Sequence, residues 1–344
     1  MKVRAGTIVH LGSLTLGAVL FAMLVRRLDM REVALRLHQV GLWFGLHCAF
    51  YLLGIMVTTA AWQQLIDPAH SRARFRDLFA AFWVGHAINM VTPGASLGEV
   101  VKNTIMQEKV DSAEMVASLV IFNFMSTVSM LTFNLIGPLM CLWLLDLPAR
   151  VVLLIFGVGL VFFVPMTLLW LMLRAGAASH AVRLLAKLPF VRFKDPAAIV
   201  AKAASVDVRI HEARIRRPRR FWWAVACLAA ARLMNVAEYW ALLLALVPGR
   251  GPAWLFVLAM LTQTSSYLLA WVLTFVPAQV GVAEGNTTML YNLLGLGSSL
   301  GFAMEILRRI KGLMGIAVGL TLGWIIGLRP SGHHRMGTRG QASG

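Results

Sequence analysis

Two short segments place a glutamate behind a proline and a glycine within apolar sequence. The first, Val91 to Glu99, reads VTPGASLGE, and the second, Val276 to Glu284, reads VPAQVGVAE. Proline removes a backbone donor and glycine loosens a helix, so each segment predicts a break in a helix. A carboxylate inside a membrane is costly, so it pairs, takes up a proton or faces water. The two segments are therefore the first candidates for contact with a polar substrate.

Side chains around each break suit such a site. Lys102 follows Glu99 by three residues, so the two can pair on one helix face. Asn89 precedes the first break and can bond the backbone freed there. The predicted substrate-binding residues from the two breaks are Asn89, Pro93, Gly98, Glu99, Lys102, Pro277, Gly281 and Glu284. The alternative role for both carboxylates is structural, with each bonding the amides of its own broken helix. The functional prediction includes a shared cavity for both.

Two further groups of charged residues interrupt later apolar segments. Arg232 and Glu238 lie in one segment, where they either line a pathway or form a buried ion pair that fixes helix register. Arg308 and Arg309 follow Glu305 by one turn and can hold a phosphate through paired hydrogen bonds, or else extend to the membrane interface. The members of both groups are added to the predicted substrate-binding site: Arg232, Glu238, Arg308 and Arg309. No spacing predicts a metal site or a catalytic nucleophile, and no cofactor is expected.

Composition assigns the chain to the membrane. Of its 344 residues 59% are hydrophobic and 14% are charged, whereas soluble domains carry roughly a quarter charged residues. The net charge of +17 could suggest nucleic acid, but the basic stretch 174–220 holds twelve Lys or Arg against three acids beside apolar segments. Such a stretch is typical of a cytoplasmic loop attracted to anionic lipid head groups. We therefore expect lipid partners and no nucleic acid.

Apolar stretches of about twenty residues predict full membrane spans. The predicted spans are 7–25, 40–66, 113–145, 149–173, 221–247 and 303–327. Regions 76–110 and 252–295 contain the breaks and are predicted to dip into the bilayer and return. Residues 31–39 are mixed and predict an amphipathic helix at the interface. The fold class predicted is an all-α polytopic integral membrane protein, with about six full spans plus two re-entrant broken helices.

The two breaks divide the chain into similar halves. We predict one membrane domain over 1–328, with half-one core 40–145 and half-two core 221–327 arranged as inverted repeats, and a disordered tail 329–344. A cytoplasmic amphipathic loop 174–220 joins the halves and places both termini in the cytoplasm. One observation opposes this orientation, since it leaves four arginines outside: Arg26, Arg27, Arg31 and Arg36. Broken helices in corresponding parts of two repeats indicate a binding site between them.

At these motifs the chain resembles the flippase-like membrane-domain family typified by the transmembrane region of lysylphosphatidylglycerol synthases. Gly98-Glu99 with Lys102, then Gly281 with Glu284, carry the resemblance. A later basic position, Arg308 or Arg309, and prolines Pro93 and Pro277 complete it. The chain after Leu328 is too short for the aminoacyl-transferase domain of full synthases, so the resemblance implies lipid handling. Ala237-Glu238-Tyr239-Trp240 further resembles stand-alone members associated with hopanoid biosynthesis.

Three hypotheses of function follow. The first is a lipid translocase of the bacterial inner membrane, which moves an amphipathic lipid, a hopanoid or a phospholipid, between leaflets. The second is a membrane-embedded enzyme that modifies lipid head groups with Glu99 or Glu284 as general acid or base. The third is a scaffold for lipid-synthesis enzymes. We favour the translocase without catalytic chemistry, because the sequence supplies no nucleophile or donor-binding motif.

Overall fold

The computed structural model describes residues 30–92, 97–144, 215–272 and 281–326, with scattered helical positions between 149 and 167. Nine α-helices occupy the four continuous ranges, and a 3-10 turn, Pro68–His70, lies among them. The helices are α1 Met30–Val40, α2 Leu42–Leu65, α3 Phe75–Val91, α4 Leu97–Met106, α5 Ser112–Leu144, α6 Pro218–Leu246, α7 Pro252–Val272, α8 Val282–Leu293 and α9 Ser298–Ile325. The predicted all-α class is confirmed.

Within the part of the chain that the structure describes, three helices have the length and the apolar composition of membrane spans. They are α2, the part Ser112–Gly137 of α5, and α6. The predicted spans 40–66, 113–145 and 221–247 correspond to them. The predicted span 303–327 overlaps α9 over residues 303–325, and α1 covers the predicted interfacial helix 31–39. Several predicted segments lie wholly or largely outside the described residues: 7–25, 149–173, most of 174–220, and 329–344.

The long helices α2 and α6 pack side by side in opposite directions. Near one end of the pair, the Arg220 guanidinium donates to the carbonyl oxygen of Ile66 at 3.2 Å. Towards the other end, His47 Nδ1 lies 2.9 Å from the Glu238 carbonyl oxygen. The carboxyl end of α2 therefore lies beside the amino end of α6. Each of these helices is followed in the chain by a pair of packed helices.

Helices α3 and α4, which we call hairpin one, follow α2 and pack antiparallel. The Gly98 amide donates to Asn89 Oδ1 at 2.7 Å, and Lys102 Nζ lies 4.6 Å from the centroid of the Phe82 ring. Their outer ends meet as well, because the Arg72 amide donates to the Lys109 carbonyl oxygen at 2.8 Å. Hairpin one thus leaves the end of α2 and returns to it before α5 begins.

Helices α7 and α8, which we call hairpin two, follow α6 and also pack antiparallel. The hydroxyl groups of Thr262 and Tyr291 lie 2.9 Å apart, and Asn286 donates to Ser265 Oγ at 3.2 Å. Hairpin two begins next to the carboxyl end of α6, whereas hairpin one begins next to its amino end. The two hairpins therefore start at opposite ends of the α2–α6 pair.

The apolar core divides between the hairpins. One cluster of buried side chains surrounds hairpin one and includes Trp62, Phe82 and Phe122. A second cluster surrounds hairpin two and includes Leu242 and Leu258. Lipid tails are as apolar as these side chains, so close van der Waals packing rather than transfer from water holds each cluster together.

Asp67 ties the start of α6 to the end of α2. One of its oxygens accepts from the Ala69 amide at 2.9 Å, and the other from the Arg217 guanidinium. Burial acts to raise the pKa of Asp67, but the Ala69 amide and the Arg217 guanidinium outweigh it and hold that pKa below its ordinary value. The carboxylate therefore contributes stability above its unfolded pKa, and this contribution is lost as the pH falls through the folded value.

Replacement of Asp67 with Asn should lower the melting temperature of the solubilised protein at pH 7. The pair is partly exposed, so we expect a loss of only about 1 kcal/mol in the free energy of unfolding. The difference from wild type should shrink as the pH falls from about 4 through the lower pKa of the folded state, below which the wild-type carboxyl group is also neutral. Asp111, exposed on the neighbouring loop, provides an Asp to Asn control. A difference that stays constant down to low pH would contradict the assigned charge interaction.

Candidate functional site

At the first break, Glu99 pairs with Lys102. Glu99 lies in the first turn of α4, and its Oε1 accepts from Lys102 Nζ at 2.7 Å, as the three-residue spacing predicts. The side chain of Lys102 is only 4% exposed, whereas that of Glu99 is 30% exposed. Glu99 Oε2 has no hydrogen-bond partner among the described residues. Oε2 is itself buried, so the ion pair keeps one unused acceptor inside the protein.

Glycines allow the two helices of hairpin one to approach closely. A Cβ atom on Gly98 would lie 2.1 Å from the Gly85 carbonyl oxygen and 2.5 Å from the Asn89 side chain. Such contacts are impossible without separation of the helices, because one partner is backbone. Glycine at position 98 is therefore required by packing, and it sets the position of the adjacent Glu99.

Replacement of Gly98 with Ala should force α3 and α4 apart. We expect a fall in melting temperature, equivalent to a loss of about 1–3 kcal/mol in the free energy of unfolding, as overpacking usually costs. Gly45 in α2 has open space around its Cβ position, so Gly45→Ala is the matched control and should be close to neutral. Equal melting temperatures for the two variants would show that hairpin one tolerates the wider spacing.

At the second break, Glu284 serves both its own helix and a neighbouring one. It lies in the first turn of α8 and is fully buried. Its Oε2 accepts from the Gly281 amide at 2.9 Å, and its Oε1 accepts from the Arg309 guanidinium of α9. The backbone of Gly281 has φ +78°, which favours glycine. Glu284 therefore has the structural role considered above, a hydrogen bond to an amide of its own helix start, and it also pairs with a charged residue of α9.

Helix α9 carries the basic partners of two carboxylates. Arg308 Nε donates to Glu305 Oε2 at 2.6 Å, as the one-turn spacing predicts. The other oxygen of Glu305 accepts from Thr287 Oγ1 of α8 at 2.8 Å. Arg308 thus pairs within α9, whereas the contacts Arg309–Glu284 and Glu305–Thr287 connect α9 with hairpin two. Phosphate binding by these guanidinium groups stays a prediction.

A fourth charged pair joins α6 to α9. Lys311 Nζ donates to Glu238 Oε2, and it also lies 4.4 Å from the centroid of the Tyr51 ring on α2. Both charged side chains are nearly buried. The sequence interpretation that combined Glu238 with Arg232 in one ion pair was wrong. Their six-residue separation directs them to different faces, and Arg232 donates instead to Ser126 Oγ of α5 at 2.7 Å.

His86 lies between the charges of hairpin one and those of α9. Its ring centroid lies 6.2 Å from that of Tyr51, and the charges of Lys102 and Lys311 both act on it. We give the name charged band to four ion pairs: Glu99–Lys102, Glu238–Lys311, Glu305–Arg308 and Glu284–Arg309. Glu99 pairs with Lys102 and Glu284 pairs with Arg309, so a cavity shared by the two carboxylates stays a prediction.

A run of uncharged polar residues in α7 is a feature that the sequence interpretation missed. Thr264 donates to Asn134 of α5 at 3.4 Å, and Asn235 of α6 donates to the Tyr267 hydroxyl at 3.4 Å. Gln263 is also buried, and its Oε1 has no partner among the described residues. Residues 262–267 are six consecutive polar or hydroxylated residues within an apolar segment, and this pattern could have predicted the polar contacts of α7.

The structure therefore brings most predicted site residues into contact with charged or polar partners. Asn89, Gly98, Glu99 and Lys102 meet in hairpin one, whereas Gly281, Glu284, Arg308 and Arg309 meet between α8 and α9. Glu238 joins the charged band, and Arg232 lies at the α5–α6 contact. The two predicted prolines, Pro93 and Pro277, lie outside the described residues.

Apolar spans, broken helices and buried charge pairs together define a polytopic α-helical membrane protein. The chain matches the family model described as the lysylphosphatidylglycerol synthase TM region over residues 10–319. It belongs to this family, and a role related to membrane lipids follows. Comparison with curated proteins and with solved structures gives no match.

Proposed function

We propose that this protein is a lipid translocase, which moves an amphipathic lipid between the leaflets of the bacterial inner membrane without changing it chemically. The observation that carries the proposal is the charged band, whose ion pairs lie within hairpin one, within α9, between α6 and α9, and between α8 and α9. Carboxylates and bases at membrane depth are costly and mark pathways for polar groups. A translocated head group needs such a polar route while its tails stay in hydrocarbon.

The lengths and directions of the helices support a re-entrant, inverted arrangement. Helix α3 has 17 residues and α4 has 10, so they extend about 25 Å and 15 Å, less than the roughly 30 Å of a bilayer core. The outer ends of hairpin one meet, which suits a segment that dips in and returns. Hairpin two starts at the opposite end of the α2–α6 pair, as inverted repeats would require.

Charge at one end of the structure supports a cytoplasmic position for that end. The base of hairpin one and the start of α6 carry exposed basic side chains at Arg72, Arg74, Arg76 and Arg219. An excess of Lys and Arg beside spans is typical of the cytoplasmic face. With this end inside, we place both termini in the cytoplasm, and hairpin two then enters from the outer face.

The two hairpins differ in a way that suggests their separate roles. In hairpin one the Glu99–Lys102 pair lies within a single short helix, so it can move with that helix without breaking. In hairpin two Glu284 is bound to α9 through Arg309 and is fully buried. We infer that Glu99 meets the substrate head group, whereas Glu284 holds the opposite wall in place.

The proposal is tested by leaflet exchange in vesicles that contain the purified full chain. Fluorescent phospholipids and polycyclic triterpenoid lipids are placed in both leaflets, and those in the inner leaflet become accessible to a membrane-impermeant quencher only if they exchange. We expect faster exchange for at least one lipid class than in empty vesicles, with or without an imposed ion gradient. Exchange equal to that of empty vesicles for every class and gradient would overturn the proposal.

Mass spectrometry of the same vesicles separates transport from the two alternatives. A translocase leaves the lipids chemically unchanged, whereas a head-group-modifying enzyme would produce a new mass. A scaffold would change neither the distribution nor the mass of the lipids. The same sample therefore distinguishes the three functions.

A further inference from the structure

Three helices end around a pocket that is separate from the charged band. It lies between the end of α2, the start of α5 and the start of α6, the three helices that qualify as spans. Its lining includes Arg216, Arg217 and Arg220 beside the carboxylates Asp67 and Glu114. The substrate route proposed above uses none of these residues, so it does not account for this pocket.

The two acidic side chains in this pocket are already engaged by the protein. Asp67 accepts from Arg217 and from the Ala69 amide, and Glu114 Oε1 accepts from the Asp67 amide at 2.7 Å. Arg220 is held by the Ile66 carbonyl oxygen. A guanidinium group has five N–H donors, so these contacts fix the orientation of Arg217 and Arg220 and leave donors for an anion.

The remaining walls and the neighbouring residues locate the pocket at the level of lipid head groups. Leu65, Ile121 and Phe221 provide apolar lining beside the arginines. Trp222 and Trp223 follow directly on α6, and both are more than 60% exposed. Exposed tryptophans at the end of a span are typical of the membrane interface. An occupant thus meets guanidinium groups at its polar end and apolar side chains on the side towards the bilayer.

We propose that this pocket binds the phosphate group of an anionic phospholipid from the cytoplasmic leaflet. Guanidinium groups bind phosphate through paired, charge-assisted hydrogen bonds, and the lipid's glycerol and upper acyl chain fit the apolar wall. The site lies outside the proposed transport route, so the bound lipid joins α2, α5 and α6 at their ends rather than crossing the membrane.

Native mass spectrometry of the detergent-solubilised full chain tests the site without any transport measurement. The protein is titrated with phosphatidylglycerol and, separately, with phosphatidylcholine of the same acyl chains. We expect tighter retention of phosphatidylglycerol, and we expect Arg216→Gln with Arg220→Gln to weaken it at least about fivefold. Arg72→Gln with Arg76→Gln removes equal charge from exposed positions on the same face and should leave binding unchanged.

Three outcomes would overturn the proposal. The first two are equal binding of the two lipids and unchanged phosphatidylglycerol binding by the pocket variant. The third is displacement of bound phosphatidylglycerol by glycerol 3-phosphate as effectively as by phosphatidylglycerol itself, which would assign the pocket to a soluble phosphate ester. Arg216 is exposed, so the single variant Arg216→Gln should fold even if the double one does not, and it should weaken binding in the same direction. Because the readout is lipid retention, it is independent of whether the protein translocates lipid.

Discussion

Replacement of Glu99 with Gln should reduce lipid exchange by about tenfold or more while the protein still folds. Glutamine keeps the shape and one acceptor oxygen of the side chain but removes its charge. The aromatic ring of Phe82 beside Lys102 still contacts the ammonium group, which limits the loss of stability. Transport should suffer because the head group is proposed to meet this carboxylate, whose buried Oε2 has no hydrogen-bond partner among the described residues.

The corresponding change at Glu284 should affect stability as well as exchange. Glu284 is fully buried and faces Arg309, so Glu284→Gln removes the negative charge from a buried pair. Breaking such a pair costs roughly 3–5 kcal/mol, which predicts a clear fall in melting temperature. If both carboxylates act on one lipid, the double variant should exchange lipid little more slowly than the worse single variant.

The matched control for both substitutions is Glu108→Gln, because Glu108 is exposed on the loop after α4. It should match wild type in exchange and in melting temperature. Wild-type exchange by correctly folded Glu99→Gln would reduce the first break to an architectural feature, and Glu99 would then leave the proposed site. Equal melting temperatures for Glu284→Gln and wild type would instead contradict the assigned burial of its charge.

Local spacing predicted the parts of the site that lie within one helix. Pairs three residues apart meet on one face, so Glu99–Lys102 and Glu305–Arg308 followed from the sequence. The breaks were equally visible, because proline and glycine act on the backbone of their own segment. The predicted spans 40–66, 113–145 and 221–247 were confirmed for the same reason, since apolar length is a local property.

Contacts between helices could not be predicted in this way. Glu284 meets Arg309 across 25 residues, and Glu238 meets Lys311 across 73. An apolar helix can pack in many arrangements, and the sequence of one helix does not state which face of another it will meet. Sequence interpretation therefore joined Glu238 to the wrong partner, Arg232, within the same helix.

The pair Glu238–Lys311, a contact between two helices of half two, should have a large effect on stability. Both side chains are nearly buried and join α6 to α9, while α9 also packs against hairpin one. Either Glu238→Gln or Lys311→Met leaves a buried charge without its counterion. We expect each to lower the free energy of unfolding by about 3–5 kcal/mol. Thermal unfolding in detergent at one fixed scan rate would measure the change.

The double variant, Glu238→Gln with Lys311→Met, decides whether the charges act as a pair. It leaves no net charge at this contact, so it should unfold at a higher temperature than at least one single variant. A coupling of about 1–3 kcal/mol is the expected size for directly bonded residues. Lys109→Met, which removes a half-exposed partner of Asp77, should cost below about 1 kcal/mol and serves as the control.

The same variants separate a structural role of this pair from a role in lipid movement. If the double variant regains stability and exchanges lipid at the wild-type rate, the pair only fixes how α6 packs on α9. If it regains stability but exchanges lipid slowly, the charges themselves belong to the polar route. Losses that simply add would contradict direct pairing, because two residues in contact should not contribute independently to the free energy of unfolding.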